Sequence, residues 1–171
     1  MEVLITSSVG MGVLIAIRLC LALFFLTAGI GKLANQRDFL QGTVNYDILP
    51  LNASRVLGRL LPWIELAVGL DLLLGIALPI AGLLAATLIT AFIAAVVINL
   101  KRGRQIQCSG YGIGVAPTIS WGTVARNATL MVMALAVAGL GLLTQQDGWL
   151  APWSTYRSLL SSISLTILVA S

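Results

Sequence analysis

The sequence predicts an all-α integral membrane protein, a bundle of four transmembrane helices forming a single membrane domain over residues 1–171. Of the 171 residues, 58% are hydrophobic and only 9% are charged, whereas a soluble domain carries roughly 25% charged residues. The mean hydropathy is +1.00. Four apolar stretches are each long enough to cross the hydrocarbon core, which takes roughly 20 residues. Because so few charged residues cannot cover a soluble domain, lipid must be the solvent for most of the chain.

The four predicted spans cover about residues 9–33, 56–78, 80–100 and 119–143. The first contains Arg18 and follows no basic segment, so we interpret it as a retained helix and not as a cleaved signal peptide. The third contains no charged residue and is the clearest of the four. Pro79 lies between the second and third spans and predicts a tight helical hairpin. The apolar tail, residues 157–171, is too short to span, which favours a helix lying on the membrane surface or a partner-docking tail.

Basic residues cluster on the connections at one side of the predicted bundle. The residues concerned are Lys32, Arg37, Arg55, Arg59, Lys101, Arg102 and Arg104. The opposite side carries only Arg157. Since basic loops remain in the cytoplasm, the pattern predicts a plasma or inner membrane protein with loops 34–55 and 101–118 inside and both termini outside.

Four ionisable residues lie within the predicted spans and are therefore candidates for a functional role. Counted from the inner helix ends at the helical rise, Glu65 lies about 13 Å deep and Arg126 about 10 Å deep. By the same count Asp71 and Arg18 both lie about 22 Å deep. Matching depth and opposite charge predict two pairs, Glu65 with Arg126 and Arg18 with Asp71. We interpret the pairs as structural links between helices, and a polar path for protons or a small polar substrate stays open as an alternative.

The chain has two cysteines and no histidine. Cys20 follows Gly12 and Ala16 at intervals of one helical turn, a row of small residues typical of close helix packing. Cys108 lies in the second basic loop, where positive charge favours the thiolate, so it is the candidate thiol, although a lone loop thiol is more often inert. Without histidine we assign no metal ligand, no cofactor-binding residue and no catalytic residue. The absence of a basic stripe with interleaved aromatics argues against nucleic acid as a partner.

Several landmarks taken together resemble the MauE/DoxX group of small four-helix membrane proteins. They are Arg18 and the stretches 28–33, 46–50, 62–65 and 99–103, followed by the loop at Cys108. The resemblance extends over roughly residues 14–143. It implies the four-helix membrane fold and an association with redox maturation of partner proteins, as in the biogenesis of methylamine dehydrogenase.

One departure from this family concerns the last loop, where members often carry a C-x-C-F-G element. Here Cys108 is followed two positions later by Gly110, in the place of the second cysteine. Dithiol–disulfide exchange needs a resolving thiol, which this loop does not supply. We therefore expect the fold of the family to carry over to this degenerate member, and its redox chemistry not to do so.

The leading hypothesis is a non-catalytic accessory or structural subunit that packs against a larger membrane complex of the electron-transfer or photosynthetic kind. Its partners would be membrane lipids and other membrane protein subunits. The alternative hypothesis is a thiol-redox maturation protein that uses Cys108 together with a cysteine of its partner. A transporter is a third hypothesis, and it depends only on the buried charges.

Overall fold

The computed structural model describes residues 8–104, 106 and 118–144, and the regular elements within these residues are all α-helices. They are α1 (Ser8–Ala34), α2 (Gln36–Asn45), α3 (Leu51–Leu74), α4 (Leu78–Lys101) and α5 (Trp121–Thr144). The all-α prediction is therefore confirmed for the described part of the chain. The predicted tail at 157–171 and the candidate thiol Cys108 lie outside the described residues.

Three of the described helices are long and apolar enough to cross a membrane. They are α1 over Gly12–Ala34, α4 over Leu78–Lys101 and α5 over Trp121–Leu142, and they correspond to the first, third and fourth predicted spans. Helix α3 has 24 residues, enough to cross about 30 Å, but it carries four charged residues, Arg55, Arg59, Glu65 and Asp71. The count of four spans is therefore not confirmed, and the crossing by α3 stays a prediction.

The bounds of α3 differ from the predicted second span at both ends. The helix begins at Leu51, directly after Pro50, which stands at its N-cap position. It ends at Leu74 because Gly75 takes up the left-handed conformation, with φ 74°. Glycine adopts this conformation without steric cost. The turn to α4 is then completed by Asp71, whose Oδ1 accepts a hydrogen bond of 2.9 Å from the backbone N–H of Ala77.

Helices α4 and α5 pack against each other extensively and in opposite directions. Their backbones come closest at Gly82, where an added Cβ would lie 2.7 Å from the backbone N of Ala138 and 2.9 Å from the carbonyl O of Ala134. Any side chain at position 82 would collide with backbone atoms that cannot move independently. Glycine at this position therefore sets the distance between the two helices.

Helices α1 and α3 form the second extensive pair. A residue near the start of α1, Arg18, donates a hydrogen bond to the carbonyl O of Leu73 near the end of α3. At the other end of the pair, Lys32 of α1 forms an ion pair with Glu65 of α3. The two helices are thus antiparallel. Helix α2 packs mainly against α3 and buries Phe39.

The connection after α2 is bonded to the end of α4. Asn99 donates a hydrogen bond of 3.1 Å to the carbonyl O of Tyr46. Arg102 donates one of 3.0 Å to the carbonyl O of Asp47, and Arg104 forms an ion pair of 2.9 Å with the Asp47 carboxylate. The two basic connections of the sequence therefore meet at one end of the bundle.

Candidate functional site: a buried ion pair beside a central cavity

A cavity of about 320 Å³ lies at the centre of the helices, and each of the five contributes to its wall. Most of the lining is apolar, and its aromatic members are Phe24, Phe25, Phe39, Tyr46 and Phe92. The charged side chains in the lining are Lys32, Glu65 and Arg126. The cavity therefore combines an apolar chamber with a small group of charges from α1, α3 and α5.

The ion pair between Lys32 and Glu65 is enclosed by the protein. The two side chains are 5% and 10% exposed. The Lys32 ammonium also lies 5.2 Å from the centre of the Phe39 ring, within the range of a cation–π contact. A charge pair removed from water keeps both charges only because each supplies the counter-charge of the other.

The sequence analysis placed Lys32 among the loop charges and did not identify it as the partner of Glu65. A signal for its inward position was present. Lys32 follows Arg18 by about four helical turns, so both lie on one face of α1. Residues spaced along the same face, such as Leu21 and Phe25, belong to the core. A cation that continues a core-facing stripe is expected to point inward and to need an acidic partner.

One oxygen of the Glu65 carboxylate takes no part in this ion pair. Oε1 accepts from Lys32, whereas Oε2 is buried and has no hydrogen-bond partner among the described residues. Glu65 as a whole is 8% exposed and lines the cavity. Because more than nine in ten buried polar groups in proteins are hydrogen-bonded, this acceptor marks a place where a donor belongs.

Arg126 lines the same cavity as Glu65, from the α5 side. The two residues of the first predicted pair therefore line one cavity. Lys32 is a third charged residue of this lining, and the sequence analysis did not anticipate it. The contact of the Glu65 carboxylate described above is with Lys32. The pairing of Glu65 with Arg126 stays a prediction.

Arg18 and Asp71, the second predicted pair, both lie at the turn between α3 and α4. Arg18 is 6% exposed, and its Nη2 donates a hydrogen bond of 3.3 Å to the carbonyl O of Leu73. The carbonyl groups of a last helical turn have no partner within the helix and carry partial negative charge, which a guanidinium stabilises. Asp71 accepts from Ala77. The direct pairing of Arg18 with Asp71 stays a prediction.

The two cysteines fall in different parts of the chain. Cys20 is exposed, and so are Gly12 and Ala16 of the same small-residue row. That row points away from the other helices of this chain. Although Cys108 lies outside the described residues, Ile106 and Ile119 on either side of it are joined by a backbone hydrogen bond of 2.9 Å. The described residues that flank the segment containing Cys108 are therefore neighbours in the structure.

These observations define a small helical integral membrane protein with charged side chains held inside it, around an apolar cavity. Comparison with known proteins identifies the family. The model of the family described as Methylamine utilisation protein MauE matches residues 11–144. The chain belongs to the MauE family, as its landmark residues suggested.

Among its relatives are proteins named Methylamine utilization protein MauE from three organisms. The protein of Paracoccus denitrificans is 41% identical over 128 residues, which are 74% of this chain and 68% of the relative. That of Paracoccus versutus is 41% identical over 126 residues, 73% of this chain and 68% of the relative. That of Methylorubrum extorquens is 34% identical over 125 residues, 72% and 67%. No solved structure matches the chain.

Proposed function

We propose that this chain is a non-catalytic accessory membrane protein of a methylamine-utilisation system, where it acts together with other membrane proteins. The observation that carries the proposal is the family match, which covers residues 11–144 and so includes every described helix apart from the first residues of α1. The assignment to methylamine utilisation follows from the names of the relatives. The charged residues of the cavity fit a structural role, because the ion pair of Lys32 and Glu65 links α1 to α3.

The proposal includes a surface for a neighbouring membrane helix on α1. Gly12, Ala16 and Cys20 are exposed, one helical turn apart. Rows of small residues let helix backbones approach closely in lipid. Replacing Ala16 by Phe would fill this row without touching the core of the chain, so we expect it to weaken association with partner subunits while the protein itself still folds.

Complementation tests the function. A Paracoccus denitrificans strain lacking its own MauE protein, first checked for loss of growth on methylamine, would receive this chain on a plasmid. We expect growth on methylamine to return, and the Ala16→Phe variant to restore it poorly. The control is Ala67→Phe, at an exposed alanine of α3. Failure of a well-expressed, membrane-inserted chain to restore any growth contradicts the proposal.

A second candidate function is thiol-redox maturation of a partner through Cys108. It is favoured by family membership and by the basic residues Lys101, Arg102 and Arg104 that precede the thiol, since nearby positive charge stabilises a thiolate. With Gly110 in place of a second cysteine, an adduct of Cys108 could not be resolved within the loop. We therefore expect Cys108→Ser to restore growth as well as the unchanged chain does.

Mixed disulfides provide the complementary measurement. Membranes from the complemented strain would be alkylated at once and separated on non-reducing gels. We expect no adduct that depends on Cys108. An adduct that disappears in Cys108→Ser, together with lost growth, would replace the accessory proposal by the redox one.

We further propose four membrane crossings, with the two basic connections in the cytoplasm and both termini outside. The antiparallel contacts of α3 with α1 support the crossing by α3. The bonds from Arg102 and Arg104 to Asp47 support a common side for the two connections. Basic residues remain preferentially in the cytoplasm.

Cysteine labelling in intact cells tests this topology. In a Cys20→Ser, Cys108→Ser background, Arg37→Cys and Lys101→Cys should react with a membrane-impermeant maleimide only after the cells are permeabilised. Ser171→Cys should react in intact cells. Labelling of position 37 or 101 before permeabilisation would show that the orientation is the opposite of the proposed one.

A further inference from the structure

We propose that the central cavity is a binding site for a neutral, hydroxyl-bearing amphiphile of the bilayer. The hydroxyl group donates a hydrogen bond to Glu65 Oε2, and the apolar part of the molecule lies against Phe24 and Phe92. This site is independent of the accessory role proposed above, since it concerns what the isolated chain binds.

The size and lining of the cavity fit the apolar end of such a molecule. Its volume of about 320 Å³ lies at the lower limit of small-molecule sites, which are about 300–1,000 Å³. Such sites are mostly apolar with a few polar groups that fix the orientation. Here the phenylalanine side chains form the apolar wall, and Lys32 and Glu65 supply the polar end.

The carboxylate of Glu65 determines which hydrogen-bonding group the ligand must offer. Oε2 is a buried acceptor without a partner among the described residues, so the ligand has to present a donor. The Lys32 ammonium has three N–H groups and makes its ion pair with Oε1. It therefore has capacity to donate to an oxygen of the same ligand. A hydroxyl group can meet both requirements, because it donates and accepts.

The charges next to Glu65 Oε2 indicate that the group bound there is neutral. A cationic headgroup would lie beside the ammonium of Lys32 and the guanidinium of Arg126, both in the lining. An anionic headgroup would place a second negative charge next to Glu65 Oε2, which can only accept. Like charges at short distance in a low-dielectric interior are strongly unfavourable. A hydroxyl group avoids both contacts.

Exposed apolar side chains border the cavity. Four large apolar side chains of its lining are exposed, Ile48, Leu49, Leu57 and Ile98. They come from α3, α4 and the connection before α3, and α3 packs less extensively against α4 than against α1. An opening lined by apolar side chains suits a molecule dissolved in the bilayer, whose remaining chain can extend into lipid.

Two bilayer components share this chemistry, a lipid alcohol such as a monoacylglycerol and a quinol with an apolar tail. Both present a neutral hydroxyl group at one end of an apolar body. The Glu65 acceptor and the cavity lining accommodate either of them, so the experiment uses one probe of each kind.

Photo-crosslinking of the purified full chain in phosphatidylcholine nanodiscs tests the proposal. The probes are a monoacylglycerol carrying a diazirine in its acyl chain and a benzoquinol carrying one in its tail, and labelled peptides are identified by mass spectrometry. We expect saturable labelling of cavity residues on α3 and α4. Unlabelled monoacylglycerol and a short-tailed benzoquinol then compete, and the stronger competitor identifies the source. The dimethyl ethers of both, in which neither hydroxyl group remains to donate, should compete about tenfold less well or worse.

Two variants keep the test informative. Ala95→Leu fills the cavity from α4 without touching the ion pair, and it should weaken labelling about tenfold or more. Its matched control is Ala67→Leu, at an exposed alanine outside the lining, which should leave labelling unchanged. The double change Lys32→Met, Glu65→Leu removes the acceptor together with its ion-pair partner and should also abolish saturable labelling. Circular dichroism and size-exclusion profiles verify that each variant folds.

Three results would overturn the proposal. Equal competition by the dimethyl ethers would show that Glu65 Oε2 accepts no ligand hydroxyl. Unchanged labelling in folded Ala95→Leu would place the probe outside the cavity. Absence of saturable labelling with both probes would mean that neither kind of amphiphile binds in the cavity. Because the measurement uses the isolated chain, its outcome is separate from that of the growth assay.

Discussion

Helices α4 and α5 approach each other at Gly82, where the backbone of one helix lies against the backbone of the other. Helices α1 and α3 meet around buried charges as well, with the ion pair of Lys32 and Glu65 at one end and the Arg18 contact to Leu73 at the other. Both pairs are antiparallel and comparable in length. Glycines permit close backbone approach in both pairs, at Gly82 in the first and at Gly29 and Gly69 in the second. The second pair adds charged contacts that are buried.

The difference between the pairs follows from the solvent. Apolar side chains gain little by leaving lipid for a protein interior, so helices in a membrane associate through close packing and hydrogen bonds. Close packing fixes the distance between α4 and α5 and leaves no space between them. Between α1 and α3, charged side chains add to the close packing at Gly29 and Gly69 and bring polar atoms to the cavity, which all four of these helices line.

The largest effect is expected at the ion pair. Glu65→Leu should lower the free energy of unfolding by about 3–5 kcal/mol, because it leaves the Lys32 charge buried without its partner. The double variant Lys32→Met, Glu65→Leu should recover most of the loss. Unfolding by denaturant in detergent measures each value. If the double variant loses as much as the two single variants together, the residues are not coupled and the contrast between the helix pairs fails.

Unfolding of an Arg126→Leu variant tests which cation is the main partner of Glu65. A double-variant cycle of Arg126→Leu with Glu65→Leu gives the coupling between the two residues that the sequence analysis paired. We expect coupling smaller than that of Lys32 with Glu65, because Lys32 is in direct contact with the carboxylate. Larger coupling for Arg126 would restore the original pairing as the dominant one.

The next effect is expected in the α4–α5 pair. Gly82→Val introduces side-chain atoms where a Cβ alone would lie 2.7 Å from the backbone N of Ala138, so the helices must separate. Overpacking of this kind costs about 1–3 kcal/mol. Gly139→Val is the control, since no atom lies within 4 Å of a Cβ at that position. Equal losses in both variants would mean that helix propensity, and not close approach, determines the role of Gly82.

A smaller effect is expected at the turn between the two pairs. Gly75 has φ 74° and Gly103 has φ 69°, so alanine at either position should cost about 1–2 kcal/mol for the left-handed backbone. At Gly75 the new Cβ would also lie 2.8 Å from Arg18 Nη1, whereas at Gly103 it meets nothing within 4 Å. A greater loss of thermal stability for Gly75→Ala reports the Arg18 contact. Equal losses in the two variants would mean that the Arg18 contact does not contribute to the stability of the α1–α3 pair.

The smallest effect is expected at the exposed ion pair. The side chains of Arg104 and Asp47 are 40% and 70% exposed, and pairs of this kind contribute about 0.2–1 kcal/mol. Asp47→Asn removes the charge and keeps a residue that tolerates φ 48°. The loss in the free energy of unfolding should therefore be under about 1 kcal/mol and should vanish at high salt. A loss as large as that of Glu65→Leu would contradict the distinction between buried and exposed pairs.

Much of the fold could be predicted because it depends on local composition. The predicted first, third and fourth spans correspond to α1, α4 and α5 because an uninterrupted apolar stretch of this length forms a helix in lipid wherever its neighbours lie. The bounds of α3 were less accurate. Its end depends on the left-handed Gly75, and its start depends on Pro50, whereas the prediction followed the apolar residues alone.

The sequence by itself determined that this protein lies in a membrane, that its described elements are helices and that it belongs to the MauE family. It also singled out Glu65, because a carboxylate in an apolar stretch has to be satisfied by something. Only the tertiary structure decided that Lys32 is in contact with Glu65 and that a cavity adjoins them. Depth along a helix can be counted from the sequence, but the direction of each charge around the axis, and which helices adjoin, depend on contacts between distant segments.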